Sequence, residues 1–246
     1  MKAMILAAGL GTRLRPLTND RPKALVEVAG RTLLEIALTR LRVFGVNEVI
    51  VNAHHFADMI VEYLKANGNF GMRIEVSREE ELLDTGGGLK RAAAFFCDSQ
   101  EPFVLHNVDV ISDIDLGRMV RHHTERAALA TLAVQDRTTS RYLLFDEAGQ
   151  LCGRRAGLEG KTEMVRSVER VQPLAFSGIH IISPAIFAKM KEESAFSIID
   201  MYLRLAAEGE LICAFRADGC YWRDLGRPES IAEAARDLAD REYSGR

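Results

Sequence analysis

The sequence lacks the features that would assign it to a nucleic-acid-binding, membrane or exported class. Its 246 residues carry a formal net charge of only −3, so no strong basic field attracts nucleic acid or anionic lipid. Apolar runs stay well short of the roughly 18 residues that a membrane helix needs. No charged stretch leads into a long apolar segment at the N-terminus, which argues against a signal peptide. We therefore expect a cytoplasmic protein without nucleic-acid or membrane partners.

Cysteine and histidine are too scattered to indicate a disulfide framework or a zinc site. The four cysteines form no C-x-x-C pair and lie among apolar neighbours: Cys97, Cys152, Cys213 and Cys220. This pattern is typical of reduced thiols in or near a core. The adjacent His122 and His123 fall on a predicted helix surface without a matching Cys or His cluster, which argues against zinc.

Strand and helix patterns alternate through the first half of the chain. Apolar runs indicate strands at 4–8, 48–52, 72–76 and 103–106, and helical periodicity indicates helices at 32–44, 55–66 and 88–96. Gly45 follows the first helix as a natural C-cap, and the third helix is predicted to start after a glycine cluster. Short connections between apolar strands predict a parallel sheet with helices on both faces.

The second half is less regular. Strands are predicted at 127–134, 142–145, 151–152, 175–182 and 211–215, and helices at 198–207 and 228–238. The charged stretch 154–171 is predicted to be a loop or an edge hairpin, and Gly178 interrupts its strand. Asp113 and Asp115 are candidate N-caps for a helix that begins near Leu116. Since no repeat or linker divides the chain, the sequence predicts one α/β domain with a mixed, mainly parallel sheet.

The first predicted strand is followed by two glycines and several cations. Gly9 and Gly11 let backbone N–H groups face a phosphate, and Arg13 and Lys23 add positive charge that suits a triphosphate. A dinucleotide-binding loop needs a third glycine where this chain has Leu14. A P-loop needs G-K-[ST], which does not occur in this chain. The loop therefore indicates triphosphate binding outside those two classes.

Four stretches of the chain form a set of motifs: G-L-G-T-R-L-R-P-L-T at 9–18 with P-K at 22–23, L-D-T-G-G-G at 83–88, H-N-V-D at 106–109, and W-R-D-L-G at 222–226 followed by P-E at 228–229. Together they resemble the motifs of the sugar nucleotidyltransferases. The resemblance implies a Rossmann-like nucleotide-diphospho-sugar transferase fold without a C-terminal β-helix. It also implies a single domain over 1–246, with a nucleotide-binding half at 1–125 and a sugar-phosphate-binding half at 126–246.

The resemblance implies a reaction between a nucleoside triphosphate and a sugar-1-phosphate that releases pyrophosphate. A phosphate's second pKa is about 6, so the attacking group is already anionic and needs charge neutralisation rather than a general base. Arg13 is expected to bind the β- and γ-phosphates, and Lys23 to reach the α-phosphate, as the two catalytic residues. The other nucleotide-binding residues that the resemblance implies are Leu6, Ala7, Gly9, Gly11, Thr12 and Gly87.

Two aspartates are the metal ligands that the resemblance implies. Asp109 follows an apolar strand, and Asp224 follows an aromatic pair. A carboxylate just past the end of a parallel strand faces the ligand crevice of such a sheet. Mg²⁺ prefers one or two carboxylates together with phosphate oxygens and water. We therefore expect Asp109 and Asp224 to hold Mg²⁺ between the two substrates.

The sugar side of the chain departs from the family pattern. The resemblance implies sugar contacts at Asn107, Ser177 and Gly178, although the last two also fit a strand bulge. Val108 stands where the family usually has glycine, and no E-K-P segment supplies the family's sugar-phosphate lysine. Three cations remain as substitutes or as surface charges: Lys161, Arg166 and Arg170.

The motifs leave the base, the sugar and the oligomeric state open. Short family members include uridylyltransferases for N-acetylmuramate-1-phosphate and guanylyltransferases for mannose- or heptose-1-phosphate. A non-catalytic nucleotide-sensing homologue is an alternative. A cytidylyltransferase for phosphocholine is another, with a pocket expected around Tyr221 and Trp222. Both a monomer and a homodimer fit the sequence.

Overall fold

The computed structural model describes residues 1–243. Within these residues the strands are β1 Lys2–Leu6, β2 Glu27–Val28, β3 Arg31–Thr32, β4 Glu48–Ala53, β5 Arg73–Arg78, β6 Phe103–Asn107, β7 Val110–Ser112, β8 Ala130–Gln135, β9 Arg141–Phe145, β10 Leu151–Ala156, β11 Thr162–Met164, β12 Gln172–Ile182, β13 Ile212–Arg216 and β14 Trp222–Asp224. The α-helices are α1 Leu33–Val43, α2 Ala57–Ala66, α3 Asp84–Arg91, α4 Leu116–Glu125, α5 Ile198–Ala207 and α6 Pro228–Tyr243. Short 3₁₀ turns span Thr12–Leu14, Lys23–Leu25, Gly68–Gly71, Ala93–Phe96 and Pro184–Lys189.

The chain forms two compact units that are each built from separate segments. The first unit comprises Met1–Leu82, His106–Asp113 and the residues from Tyr221 onward. The second unit comprises Leu83–Leu105 and Ile114–Cys220. This division is not one between residues 1–125 and 126–246, and the single domain with those halves stays a prediction.

A parallel set of strands organises the first unit. β4 pairs in parallel with both β1 and β5, and Leu6 lies opposite Asn52 at the end of β1. β1 and β4 have buried apolar runs, whereas no residue of the outer strand β5 is fully buried. Thr32 caps α1 by accepting a hydrogen bond from the backbone N–H of Glu35, and Gly45 ends that helix with a φ of 78°. The glycine-rich loop begins at Ala7, directly after β1 ends.

A two-stranded ribbon completes the first unit. β7 and β14 are antiparallel, with Trp222 opposite Ser112 and Asp224 opposite Val110. Neither strand was expected from sequence, since each has only three residues. The ribbon matters because it joins the segment after β6 to the last segment of the chain.

The second unit has mostly antiparallel pairing. β12 is antiparallel to β8 and β9, β9 to β10, and β10 to β11, while β13 is parallel to β8. The register of β12 shifts between Phe176 and His180, where Gly178 has a φ of 75°. The predicted bulge at Gly178 and the predicted edge hairpin within 154–171 are both confirmed.

The predicted α/β fold class is confirmed, and residues 1–243 contain no β-helix. The predicted start of the third helix is wrong. Gly86, Gly87 and Gly88 lie inside α3 instead of before it. Their place in a helix is explained by packing, because a Cβ on Gly86 would lie 2.2 Å from the Phe196 ring.

Two further expectations about single residues are wrong. His123 is buried rather than on a helix surface, because it bonds to Thr131 and Ser183 through its two ring nitrogens. Cys97 is exposed, whereas Cys152 and Cys213 are buried as expected. Within the described part of the chain, every helix is too short or too polar to cross a lipid bilayer.

Candidate active site

The glycine-rich loop of the first unit is a tight turn that only glycine fits at residue 11. Gly11 has a φ of 63°, which disfavours other residues. A Cβ there would lie 3.0 Å from Thr18 Cγ2 and 3.2 Å from Lys23 Cβ. The Thr18 hydroxyl donates to the Gly11 carbonyl oxygen at 2.9 Å, which closes the loop on itself. Thr12 and Arg13 follow with exposed side chains.

The loop lysine contacts the first candidate metal ligand. Lys23 Nζ donates to Asp109 Oδ2, and the exposed fractions of the two side chains are 11% and 16%. Lys23 opens a 3₁₀ turn after Pro22, whereas Asp109 follows the end of β6. Two residues far apart in sequence are thus joined in one partly buried ion pair.

The second candidate ligand lies beside the first through backbone pairing. The Leu225 N–H donates to the Asp109 carbonyl oxygen at 2.8 Å, directly after β14 ends at Asp224. The Gly226 N–H donates to Asp224 Oδ1 at 2.6 Å. A Cβ on Gly226 would lie 2.6 Å from Asp224 Oδ1 and 2.7 Å from Arg13 Nη2. The loop cation Arg13 and the carboxylate of Asp224 therefore both border Gly226.

This set of donors fits Mg²⁺. Asp109 and Asp224 offer carboxylate oxygens, which are the hard ligands that Mg²⁺ prefers. In the described residues there is no group of three or more His, Cys, Asp or Glu side chains arranged for a metal ion. Two carboxylates therefore suit an ion that takes its remaining ligands from water and phosphate, and they do not suit a zinc or calcium cage.

Side-chain hydrogen bonds join the β14 segment to α6. Arg223 donates to Asp237 Oδ2 through Nε at 2.9 Å and Nη2 at 2.6 Å, and its Nη1 donates to Glu233. The Tyr221 hydroxyl also donates to Asp237, at 2.7 Å. Arg223 lies between Trp222 and Asp224, so these bonds fix the strand that carries the second candidate ligand.

Two buried polar residues that the motifs did not indicate hold the start of the loop. Asn52 Oδ1 accepts from the Ala7 N–H at 2.7 Å, and Asn52 Nδ2 donates to Glu79 Oε1 at 2.7 Å. Both side chains are buried. The carbonyl oxygen of Glu79 also bonds His54 Nδ1 at 2.9 Å. The available sequence signal was a polar residue, Asn52, at the end of an otherwise apolar strand.

A buried histidine supports the turn that leads to Asp109. Burial lowers the pKa of His106 to about 4, so the ring is neutral near pH 7. Its Nδ1 lies 2.8 Å from the Asn107 carbonyl oxygen, which assigns the proton to Nδ1. The next peptide is also held, because the Val108 N–H donates to the Leu6 carbonyl oxygen at 3.1 Å. Val108 is buried, so the family glycine is replaced by a core side chain.

Three of the predicted binding residues belong to the second unit, namely Gly87, Ser177 and Gly178, whereas Asn107 lies in the first unit. Gly87 lies in α3, and its N–H and that of Gly86 approach the Phe196 carbonyl oxygen at 3.4 Å and 2.9 Å. Ser177 is fully buried at the β12 bulge beside Gly178. Sugar contacts at Ser177 and Gly178 stay predictions, and the buried Ser177 side chain lies in the core.

The cations considered for the sugar phosphate differ in their surroundings. Arg166 Nη1 lies 3.3 Å from Asp146 Oδ2. Lys161 is exposed. Arg170 lines an open cavity of about 310 Å³ beside Phe145 and Ala214. A further arginine of this unit, Arg155, is half-buried. Its Nε has no hydrogen-bond partner among residues 1–243, and its guanidinium carbon lies 5.8 Å from the centre of the Tyr142 ring.

Comparison with known proteins gives one consistent family. The model of the nucleotidyl transferase family matches residues 2–241. The chain is 36% identical to the N-acetylmuramate alpha-1-phosphate uridylyltransferase of Caulobacter vibrioides over 97% of both chains. It is 32% identical to the mannose-1-phosphate guanylyltransferase catalytic subunit beta of Xenopus tropicalis, over 94% of this chain and 62% of that protein.

Solved structures share the fold at lower sequence identity. HddC from Yersinia pseudotuberculosis, complexed with GMP-PN, is 22% identical with a TM-score of 0.75, over 96% of this chain and 99% of that one. A UDP-glucose pyrophosphorylase complexed with UDP-glucose is 20% identical with a TM-score of 0.75, over 98% of each chain. These likenesses support the fold alone.

Proposed function

The chain belongs to the nucleotidyl transferase family, and we propose that it transfers a nucleotidyl group from a nucleoside triphosphate to a sugar-1-phosphate. A phosphate oxygen of the sugar attacks the α-phosphorus, the bond to the bridging oxygen breaks, and pyrophosphate leaves. One observation carries the proposal: a loop lysine contacts Asp109 while Asp224 lies beside it. Lysine and paired carboxylates suit two polyanionic substrates that must be brought together.

Five residues of the loop have roles in this reaction. Gly9, Gly11 and Thr12 present backbone N–H groups to the triphosphate. The exposed Arg13 neutralises charge that builds on the departing pyrophosphate. Lys23 neutralises the α-phosphate as the new bond forms. No general base is required, because the sugar phosphate carries its negative charge before it attacks.

We also propose that Asp109 and Asp224 hold Mg²⁺. When bound, the ion would supply positive charge to phosphate oxygens of both substrates. The protein's contribution is to fix both carboxylates, Asp109 through its backbone bond to Leu225 and Asp224 through the Gly226 N–H.

Uridylyl transfer to N-acetylmuramate-1-phosphate is the leading specific reaction. It is supported by the 36% identity to the Caulobacter enzyme over nearly the full length of both chains. N-acetylmuramate carries a carboxylate that other candidate sugars lack, and a guanidinium such as that of the half-buried Arg155 would suit it. Guanylyl transfer to mannose-1-phosphate is the second candidate, supported by the 32% identity to the Xenopus subunit.

The test is pyrophosphate release with Mg²⁺ across four nucleoside triphosphates and a panel of acceptors. The panel holds N-acetylmuramate-, N-acetylglucosamine-, mannose-, glucose- and heptose-1-phosphate, with phosphocholine as a non-sugar acceptor. We expect the strongest release with UTP and N-acetylmuramate-1-phosphate, and much weaker release with N-acetylglucosamine-1-phosphate, which lacks the carboxylate. Asp109→Asn should abolish release, whereas Asp20→Asn, at an exposed aspartate, should not.

Other outcomes of this panel would select another function. Strong release with GTP and mannose-1-phosphate would replace the leading reaction by the second candidate. Release with CTP and phosphocholine would move the protein outside sugar chemistry. A blank panel with intact nucleotide binding would contradict catalysis and favour a nucleotide sensor.

A further inference from the structure

The Lys23–Asp109 pair joins two groups that the proposed reaction uses for different partners. In that reaction Lys23 binds a phosphate and Asp109 binds a metal ion, yet here Lys23 Nζ donates to Asp109 Oδ2. Both side chains are mostly buried, with exposed fractions of 11% and 16%. The lysine ammonium therefore already bonds Oδ2, an oxygen that a metal ion would otherwise use.

The pair is explained by the cost of burying an unpaired carboxylate. A carboxylate with little access to water needs a counter-charge, and Lys23 supplies it without a metal. The lysine is also a compact charge on a flexible four-carbon stem, so its head can move while its base stays fixed. The base of the stem is fixed beside the phosphate loop, since a Cβ on Gly11 would lie 3.2 Å from Lys23 Cβ. From this base, the ammonium can bond either Asp109 or a phosphate held by the loop.

An ammonium and a divalent cation compete for the same carboxylate. Both are positive, and two cations beside one partly buried carboxylate repel each other strongly because water screens them poorly. A triphosphate in the loop removes this competition, because it offers Lys23 several anionic oxygens next to Gly11. Once the ammonium moves to the phosphate, Asp109 has lost its counter-charge and attracts the metal ion.

We propose that Lys23 excludes divalent metal ions from Asp109 until a nucleoside triphosphate binds to the loop. The binding of the metal ion and the binding of the nucleotide are then coupled. The inference rests on the proposed function for the identity of the two ligands, although it concerns binding and not turnover. Coupling of this kind is reciprocal, so each ligand raises the affinity for the other by the same factor. The part of the coupling that Lys23 contributes is lost when the ammonium is removed from residue 23.

The first experiment measures Mn²⁺ binding to the full chain without nucleotide, by the loss of the free-ion signal in electron paramagnetic resonance. Lys23→Met keeps the length of the side chain and removes its charge. We expect it to bind Mn²⁺ about tenfold or more tightly than the wild type. Lys23→Arg keeps the charge, so its Mn²⁺ binding should remain as weak as that of the wild type. Arg21→Met removes a cation that pairs with Asp20, so its Mn²⁺ binding should also remain weak.

Two results would overturn the proposal in this experiment. One is equal Mn²⁺ affinity in Lys23→Met and the wild type. The other is tight Mn²⁺ binding by Lys23→Arg, which would show that the charge at residue 23 does not exclude the ion. Because no acceptor is present, failure here differs from a blank panel in the turnover assay.

A measurement on the wild type keeps the test independent of the variant's folding. The ¹⁵N resonance of the Lys23 ammonium reports its partner directly. Mg²⁺ alone should leave that resonance in place, and inorganic tripolyphosphate alone should shift it. A shift with Mg²⁺ alone would mean that the ion displaces the lysine without any phosphate, which contradicts the proposal.

Discussion

Gly226 separates the carboxylate of Asp224 from the guanidinium of Arg13, and it has no room for a side chain. A Cβ there would lie 2.6 Å from Asp224 Oδ1 and 2.7 Å from Arg13 Nη2. Its N–H also orients the same carboxylate oxygen. One methyl group at this residue would therefore displace two charged groups of the candidate site at once.

We expect Gly226→Ala to lower turnover by roughly tenfold to a hundredfold, because small misplacements of catalytic groups are costly. The thermal unfolding midpoint should change little, since both displaced side chains reach solvent. The control is Gly219→Ala, where a Cβ would meet no atom within 4 Å. Wild-type turnover in Gly226→Ala would mean that the positions of Asp224 and Arg13 do not limit the reaction.

The sequence motifs predicted the charged residues of the candidate site better than the residues that hold the loop in place. Lys23, Asp109 and Asp224 were indicated by long, unusual stretches, and the first unit brings them together. Asn52 and Glu79 were missed because their role depends on the register of β4 against β1 and β5, which places Asn52 beside Ala7 and Glu79 beside Asn52. Register is a property of paired strands, and no single strand contains it.

The elements with strong periodicity and clear caps were predicted well. α5 was predicted at 198–207 and has those bounds, and α4 begins after the predicted cap Asp115, which accepts from the Arg118 N–H. α3 was misplaced because glycines normally weaken helices. Its glycines are explained by the neighbouring segment of the second unit, since Gly86 packs on Phe196 and Gly87 on the Ser194 carbonyl oxygen.

Gly86→Ala tests that explanation of α3. Helix propensity alone predicts a gain of about 1 kcal/mol in the free energy of unfolding. We expect a loss of about 1–3 kcal/mol instead, because the added methyl would overlap the Phe196 ring. Denaturant unfolding measures the difference.

The matched comparison for Gly86→Ala uses Phe196→Ala as a second change. The Phe196→Ala background lacks the ring. Gly86→Ala should then lower the free energy of unfolding much less, or raise it. If Gly86→Ala costs the same with and without the ring, close packing on Phe196 is not the reason for the glycine.

Buried polar groups give the whole molecule a predictable response to acid. His123 is buried between Thr131 and Ser183, and burial, followed by the charge of His122, lowers its pKa to about 4. An unfolded histidine takes up a proton near pH 6.5, so the unfolded state binds more protons between pH 6.5 and pH 4. Neutral His123 makes its full contribution to the free energy of unfolding above pH 6.5, and this contribution is lost as the pH falls towards 4.

We expect the free energy of unfolding to fall by about 2 kcal/mol between pH 7 and pH 5 through His123, since one pKa unit is worth about 1.4 kcal/mol. His123→Gln should make the fall smaller over the same range. His55→Gln, at an exposed residue, should leave it unchanged. The measurement is denaturant unfolding at each pH. An equal fall in His123→Gln would assign the acid sensitivity to other groups.

The order of segments in the first unit has a consequence for how the protein is made. That unit contains the start of the chain, a short piece around Asp109 and the final segment with Asp224. A ribosome delivers these pieces in sequence, and domains generally begin to fold as they emerge. Lys23 and Asp109 are available to each other while most of the second unit is still being synthesised. Asp224, which lies in β14, is synthesised only after the whole second unit, so a chain terminated before that strand would carry the ion pair without the second carboxylate.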